Sequence, residues 1–102
     1  MSYDLDFHAP CCHATSDSVN ITYNLQPMMF EAGVGVSEHL VGKNGAEVAL
    51  LITKALIDMQ LNRDKYTKLN PPNGWGSYES LIEALTRLRE IAECNPTYIL
   101  ER

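Results

Sequence analysis

Two segments of this chain combine aromatic rings with amide side chains, the pattern best suited to holding a small ligand. Trp75, the only tryptophan, lies with Asn73 and Tyr78 at a Pro-Pro-Asn-Gly turn, and Tyr23 and Asn24 form a second such group. Aromatic planes stack on flat ligands such as nucleobases, and amides hydrogen-bond their edges. Because prolines and an Asn-Gly pair make a rigid turn, the tryptophan is presented at a fixed angle. A tryptophan between glycines also suits the end of a hydrophobic core, so both interpretations stay open.

A second group of residues has side chains that bind soft metals. Four such residues lie within six positions, and Cys94 or His39 would be needed to complete a tetrahedral zinc site; the four are His8, Cys11, Cys12 and His13. Adjacent cysteines chelate one metal awkwardly, and the usual Cys-x2-Cys spacing is absent. We therefore expect a loop with free thiols over residues 9–18, with no metal and no cofactor.

Signs of catalysis are weak along the chain. Cys94 has no local partner that would activate a thiolate, and we expect it to be half-buried in the last turn of a helix. Glu79 and Glu83 share one helix face, which is typical of a solvated surface. Gly33-Val34-Gly35 lacks the Lys-Ser/Thr that follows a phosphate-binding loop. The sequence therefore predicts a protein that is not an enzyme.

Length and charge narrow the class of protein. The 102 residues predict a single domain, 1–102, small enough that a homo-oligomer would add useful burial. Eight basic and thirteen acidic side chains give a net charge of -5, which disfavours nucleic-acid binding. No apolar run approaches the roughly 20 residues of a membrane span, and the N-terminus does not resemble a secretory signal. We expect a cytoplasmic protein that binds neither nucleic acid nor membrane, with reduced cysteines.

Hydrophobic periodicity predicts an α+β fold. Strict alternation predicts two antiparallel strands, and a 3.6-residue period predicts two long helices. Asn24 is expected to cap a short helix that glycine ends, and Asn44 is expected to cap the first long helix. We predict strands at 2–8 and 19–24, helices at 25–32, 45–61 and from 77 to about 94, a further turn at 64–69, and an edge strand within 97–100. The predicted fold is thus a small antiparallel sheet of two or three strands packed against two long helices and one short helix.

The apolar face of the helix predicted at 45–61 is unusually wide. Val48, Ile52, Ala55 and Met59 recur at helical spacing, and further large aliphatic residues extend the face on both sides: Leu50, Leu56 and Ile57. One core contact does not need so broad a face. The pattern therefore predicts a second contact, with a neighbouring helix or with another subunit.

Several short runs also resemble a known family. These are Asn-Ile-Thr-Tyr-Asn at residues 20–24, Pro-Met-Met-Phe at 27–30, Asn-Gly-Trp-Gly at 73–76 and Cys-Asn-Pro at 94–96. Their order resembles a family of small uncharacterised proteins encoded by bacteriophages and prophages, over nearly the whole chain. The resemblance implies a phage or prophage protein acting in the host cytoplasm, and it implies no particular activity.

Two functions follow as hypotheses. The first is an accessory protein that works by binding, through self-association or capture of a host protein on the wide face of helix 45–61. The second is a protein that binds or sequesters a nucleotide-like small molecule in a pocket around Trp75. The hypotheses differ in whether that tryptophan lies in the core or in a ligand site.

Overall fold

A three-stranded antiparallel sheet forms one layer of the fold. The structure, a computed structural model, describes residues 2–12, 14–71, 74 and 76–102. The strands are β1 (Ser2–His8), β2 (Val19–Thr22) and β3 (Ile99–Glu101), in the order β2-β1-β3. Alternation along β1 buries Tyr3, Leu5 and Phe7 against the core, as the period of two predicts.

Helices form the second layer. They are α1 (Gln26–Glu31), α2 (Gly45–Leu61), α3 (Arg63–Thr67) and α4 (Tyr78–Cys94), with a 3₁₀ turn at Tyr23–Leu25 and a π-helical turn at Val36–Leu40. The two 17-residue helices, α2 and α4, pack against each other. The predicted α+β class is confirmed, with two long helices and shorter helical segments beside a small antiparallel sheet.

Side-chain caps fix where the two long helices begin. The Oδ1 of Asn44 accepts from the backbone N–H of Glu47 at 2.9 Å, which confirms the predicted cap of α2. At α4, Ser77 and Ser80 cap reciprocally: each hydroxyl accepts from the other residue's backbone N–H, at 3.2 and 2.8 Å. These bonds satisfy N–H groups that have no partner inside a helix.

The segment after β2 differs from the prediction. The strand ends at Thr22 rather than residue 24, and Asn24 does not cap α1. The reason is local: the Thr22 hydroxyl accepts from the backbone N–H of Asn24 at 3.4 Å and turns the chain into the 3₁₀ turn. The N-cap of α1 is instead Leu25, whose side chain makes no capping hydrogen bond. Tyr23 and Asn24 consequently lie on a turn and not on the sheet.

The last strand lies at the edge of the sheet, as predicted, and backbone groups of a loop bond to its free side. On one side β3 pairs with β1, with Phe7 opposite Leu100. On the other side, the N–H of Gly42 donates to the carbonyl of Leu100 at 3.0 Å, and the N–H of Leu100 donates to the carbonyl of Lys43 at 2.9 Å. The segment before α2 thus covers the edge of β3, which protects it from further strand pairing.

One hydrophobic core lies between the layers. Side chains from both layers are fully buried there, including Phe7 from the sheet and Ile52, Tyr66 and Leu85 from the helices. No buried side-chain nitrogen or oxygen of the described residues lacks a hydrogen-bond partner. The packed core therefore holds the helices and strands that carry the surface groups in fixed positions.

Candidate functional site

An open groove of about 690 Å³ lies beside the 3₁₀ turn and α1, and we call it the α1 groove. Seven of the described residues line it: Tyr23, Asn24, Gln26, Pro27, Phe30, Glu31 and Leu69. Most come from one stretch of chain, because residues three and four apart share a helix face. Its volume falls within the range of small-molecule sites in proteins.

Two aromatic rings give the groove its apolar surface. The ring of Tyr23 packs on Tyr3 with centroids 4.3 Å apart and keeps 38% of its surface exposed. Phe30 is 55% exposed, and its ring centroid lies 5.6 Å from that of His39. The Nδ1 of His39 accepts from the backbone N–H of Gly35 at 3.0 Å, which orients the imidazole beside the phenyl ring. The groove therefore offers aromatic surface held in place by neighbouring rings.

Polar groups of the groove are oriented by contacts outside it. The Oε1 of Gln26 accepts from the hydroxyl of Tyr3 at 3.2 Å. The carboxylate of Glu31 lies 3.3 Å from the Nζ of Lys65, and the same Nζ lies 3.9 Å from a carboxylate oxygen of Asp58. The side chain of Asn24 donates to the Thr22 hydroxyl at 3.2 Å. The lining thus combines a carboxylate with amide groups.

The structure brings two of the five predicted ligand residues together in this groove, Tyr23 and Asn24. Tyr78 lies elsewhere: it is buried, its hydroxyl donates to the carbonyl of Met59 at 2.9 Å, and its ring faces the guanidinium of Arg63, whose Cζ lies 5.3 Å from the ring centre. Asn73 and Trp75 lie outside the described residues. Tyr78 therefore belongs to the contact between α2 and α4.

Gly76, the last residue of Asn-Gly-Trp-Gly, lies beside the 3₁₀ turn that carries Tyr23 and Asn24. A Cβ on Gly76 would lie 2.9 Å from the Cγ2 of Thr22 and 3.0 Å from the Cγ of Leu25. The backbone there is thus packed directly against the residues that flank Tyr23 and Asn24. The two sequence elements that suggested a ligand site are neighbours in the fold.

Sequence reasoning did not find the rest of the lining, which includes Gln26, Phe30, Glu31 and Leu69. The run Met28-Met29-Phe30 is uniformly apolar, so its pattern does not show which residue faces outward. One sequence pattern could have identified part of this lining: the spacing of Pro27, Phe30 and Glu31 places all three on one face of a helix.

The residues considered for metal binding lie apart from one another or already pair with other side chains. The Nε2 of His8 lies 2.8 Å from Asp6, and its Nδ1 lies 3.2 Å from Glu101. Cys11 and Cys12 are exposed free thiols, and His13 lies outside the described residues. Within the described ranges, no three His, Cys, Asp or Glu side chains are grouped as metal ligands.

Cys94 was predicted to be half-buried, and that prediction is wrong. Its thiol is exposed at the last residue of α4. The apolar face of α4 there is completed by Ala92, which is fully buried, so the cysteine two positions later turns towards solvent. Glu79 also lies at the surface, where it pairs with Arg63 at 2.9 Å.

A stripe of large aliphatic residues runs along the outer face of α2. It consists of Leu50, Ile57 and Leu61, which are 56%, 54% and 78% exposed, and we call it the α2 stripe. Spacings of seven and four residues place all three on one side of the helix. The opposite side, with Val48 and Ile52, is fully buried. The wide apolar face seen in the sequence thus divides into a core side and an exposed side.

Comparison with known proteins adds no relative. No protein-family model matches the chain, and neither the curated proteins nor the solved structures gave a match. Among the described residues, no helix is both long and apolar enough to cross a membrane. Function must therefore be inferred from the α1 groove and the α2 stripe themselves.

Proposed function

We propose that the protein is a phage- or prophage-type accessory protein that acts in the host cytoplasm by binding other protein chains rather than by catalysis. The α2 stripe is the observation that carries this proposal. Three large aliphatic side chains lie exposed on one side of a helix whose other face is fully buried, and the exposed Lys54 lies between Leu50 and Ile57 on that side. Apolar side chains gathered in this way mark binding surfaces more often than singly scattered ones do.

The free energy gained by burying the α2 stripe in an interface is moderate. Burial contributes about 25 cal/mol for each Å² of apolar surface removed from water. The stripe has three side chains, far fewer than the roughly 20 to 30 residues per partner of a standard stable interface, so pairing of two stripes alone would be weak. Self-association through the stripe should therefore depend on protein concentration.

Sedimentation velocity over a concentration series tests the self-association. The wild type should shift towards larger species as concentration rises, and Ile57→Asp should stay monomeric because a carboxylate would be buried in the interface. Phe30→Asp is the matched control, since Phe30 is equally exposed but lies outside the stripe. An equal shift in all three proteins would place the contact elsewhere.

If the wild type is monomeric, capture of a host protein is the remaining way in which the α2 stripe could act. In that case a bacterial protein should be retained by the wild type and by Phe30→Asp but lost with Ile57→Asp. If no protein shows this pattern and the wild type is monomeric, binding through the α2 stripe is refuted.

The phage or prophage origin is supported by the order of the sequence elements along the chain, from Asn-Ile-Thr-Tyr-Asn to Asn-Gly-Trp-Gly. Its test is expression: transcript levels should rise when a prophage carrying the gene is induced. Constant expression that follows host housekeeping genes would contradict it. Fractionation of the producing cells tests the cytoplasmic location.

A second candidate function is supported by the α1 groove. Its volume of about 690 Å³ suits a small molecule, and two predicted ligand residues, Tyr23 and Asn24, line it. We propose on this basis that the protein also binds a nucleotide-like compound. Chemical-shift changes on Tyr23 and Phe30 upon ligand addition would support this function, and changes confined to other surfaces would refute it.

A further inference from the structure

We propose that the α1 groove selects a flat nitrogen heterocycle with N–H donors on its edge, of which a guanine base is the best match, and that it disfavours the phosphorylated forms of that base. The inference rests on the second function proposed above and narrows its ligand class from nucleotide-like compounds to a base or nucleoside without phosphate. It is carried by the aromatic surface of the groove, by the hydrogen-bonding character of its polar groups, and by its charge.

Aromatic surface favours a flat ligand. Tyr23 and Phe30 both line the groove and are 38% and 55% exposed, and each ring packs against another ring outside it. Because each ring is already held in place by a neighbouring ring, a ligand loses less binding free energy in ordering it. Stacking on such rings is available to every planar base, so it selects shape and not identity.

Hydrogen-bonding groups narrow the class of base. The carboxylate of Glu31 can only accept hydrogen bonds, so it requires a donor on the ligand. The Oε1 of Gln26 already accepts from the Tyr3 hydroxyl, which leaves the amide NH₂ as a donor for an acceptor on the ligand. Guanine presents N1–H and N2–H₂ side by side next to the O6 acceptor. These two adjacent donors match the carboxylate of Glu31, whose Oε1 already pairs with the Nζ of Lys65 at 3.3 Å but keeps a second lone pair for the ligand. Adenine has no such pair of adjacent donors.

Charge disfavours a phosphate. Of the described residues that line the groove, only Glu31 is ionised at neutral pH, and it is an anion. The nearby Nζ of Lys65 lies between the carboxylates of Glu31 and Asp58, at 3.3 and 3.9 Å, so its charge is already compensated. The chain as a whole carries a net charge of -5. A phosphate group would meet repulsion both at a distance and at the groove.

Isothermal titration calorimetry with guanosine, adenosine and guanosine 5′-monophosphate tests the inference, with amide chemical shifts to locate the site. We expect guanosine to bind, and adenosine and the monophosphate to bind at least tenfold more weakly. Phe30→Ala and Glu31→Gln should each weaken guanosine binding at least tenfold. Val41→Ala is the control, because Val41 is 37% exposed and belongs neither to the α1 groove nor to the α2 stripe. Thermal unfolding of each variant verifies that it is folded.

The outcomes separate this inference from the function on which it rests. If the monophosphate binds as tightly as guanosine, or adenosine does, with shifts at Tyr23 and Phe30, the ligand class is wrong and small-molecule binding in the groove stands. If guanosine binds but Glu31→Gln leaves its affinity unchanged, the assigned role of the carboxylate is overturned. If none of the three compounds binds or shifts the residues of the groove, the inference fails, and the broader function then depends on other planar ligands tested in the same way.

Discussion

The hydroxyl of Tyr66 donates a hydrogen bond to the carboxylate of Asp58, and this bond joins α3 to the last turns of α2. Tyr66 is fully buried, whereas Asp58 lies nearer the surface, where it also accepts from the side chain of Asn62 at 2.9 Å. Burial above all, and then the hydrogen bond and charge of Asp58, raise the pKa of Tyr66 well above its ordinary value near 10. The folded protein therefore holds the neutral phenol.

Replacing this tyrosine should weaken the fold and change its response to alkali. Tyr66→Phe leaves the carboxylate without its buried donor, and we expect a loss of about 1.5 to 3 kcal/mol in the free energy of unfolding at neutral pH. In the wild type, a tyrosine of the unfolded chain ionises near pH 10 while folded Tyr66 stays protonated. Its contribution is thus complete below about pH 10 and is lost as the pH rises towards the folded pKa.

Urea unfolding at several pH values between about 7 and 11 measures both effects. The stability of the wild type should fall more steeply above about pH 10 than that of Tyr66→Phe. Tyr23→Phe serves as the control, because Tyr23 is partly exposed and lies far from this pair in the sequence. Parallel curves for the wild type and Tyr66→Phe would contradict the assignment.

Gly45 is placed where an alanine should be harmful, although it is the first residue of α2. Helix propensity alone favours alanine over glycine by about 1 kcal/mol. A Cβ at this position, however, would collide with the backbone carbonyls of Ala92 and Asn95. We expect Gly45→Ala to destabilise the protein by about 1 to 3 kcal/mol, as overpacked sites do. Thermal unfolding of Gly45→Ala tests this expectation. Ala46→Gly, at the exposed neighbouring position, measures the effect of helix propensity alone. A higher Tm for Gly45→Ala than for the wild type would contradict the close packing of Gly45.

Removal of the Tyr78 hydroxyl separates a structural role from a ligand role. Its hydrogen bond to the Met59 carbonyl is buried, so Tyr78→Phe should cost about 1 kcal/mol of stability. It should leave guanosine affinity unchanged, because Tyr78 does not line the α1 groove. Tyr23→Ala should do the reverse, weakening guanosine binding while the fold is largely kept. Calorimetry and chemical denaturation of both variants decide between these roles.

The cysteines should react readily in the native protein. Cys11, Cys12 and Cys94 are all exposed and unpaired, so an aromatic disulfide reagent should titrate three thiols without denaturant. Cys94→Ser should remove one equivalent and leave stability nearly unchanged, as exposed substitutions do. Fewer than three equivalents in the folded wild type, rising to three in denaturant, would show that a thiol is protected.

Elements with a regular period were predictable from the sequence. Strict alternation from Tyr3 to Phe7 gave the first strand, and the apolar spacing from Val48 to Met59 gave α2 together with its cap at Asn44. These features depend on local rules, in which burial repeats every second or every third and fourth residue. Both long helices and the antiparallel pairing of β1 with β2 follow from them.

Features that depend on how the elements pack, rather than on a regular period along the chain, were not predictable. The bond of Tyr66 to Asp58 crosses the break between α2 and α3, and the outward position of Phe30 depends on how α1 packs. Tyr78 has the residue type expected of a ligand site, but the packing of α2 against α4 buries it. Residue type and spacing therefore indicated where a site could be, and tertiary packing decided which side chains form it.

The covered position of β3 has a consequence for the order of folding. This strand supplies hydrogen bonds both to β1, near residue 7, and to the segment at 42–44, although it lies at residues 99–101. During synthesis on the ribosome, β1 and β2 can pair and α2 can form long before that strand emerges. The sheet cannot be completed until residue 101 has left the exit tunnel, and closing so long a loop is entropically slow. Until then the inward face of β1 at Phe7 lacks its neighbour Leu100, and an unpaired strand edge of this kind exposes the nascent chain to aggregation.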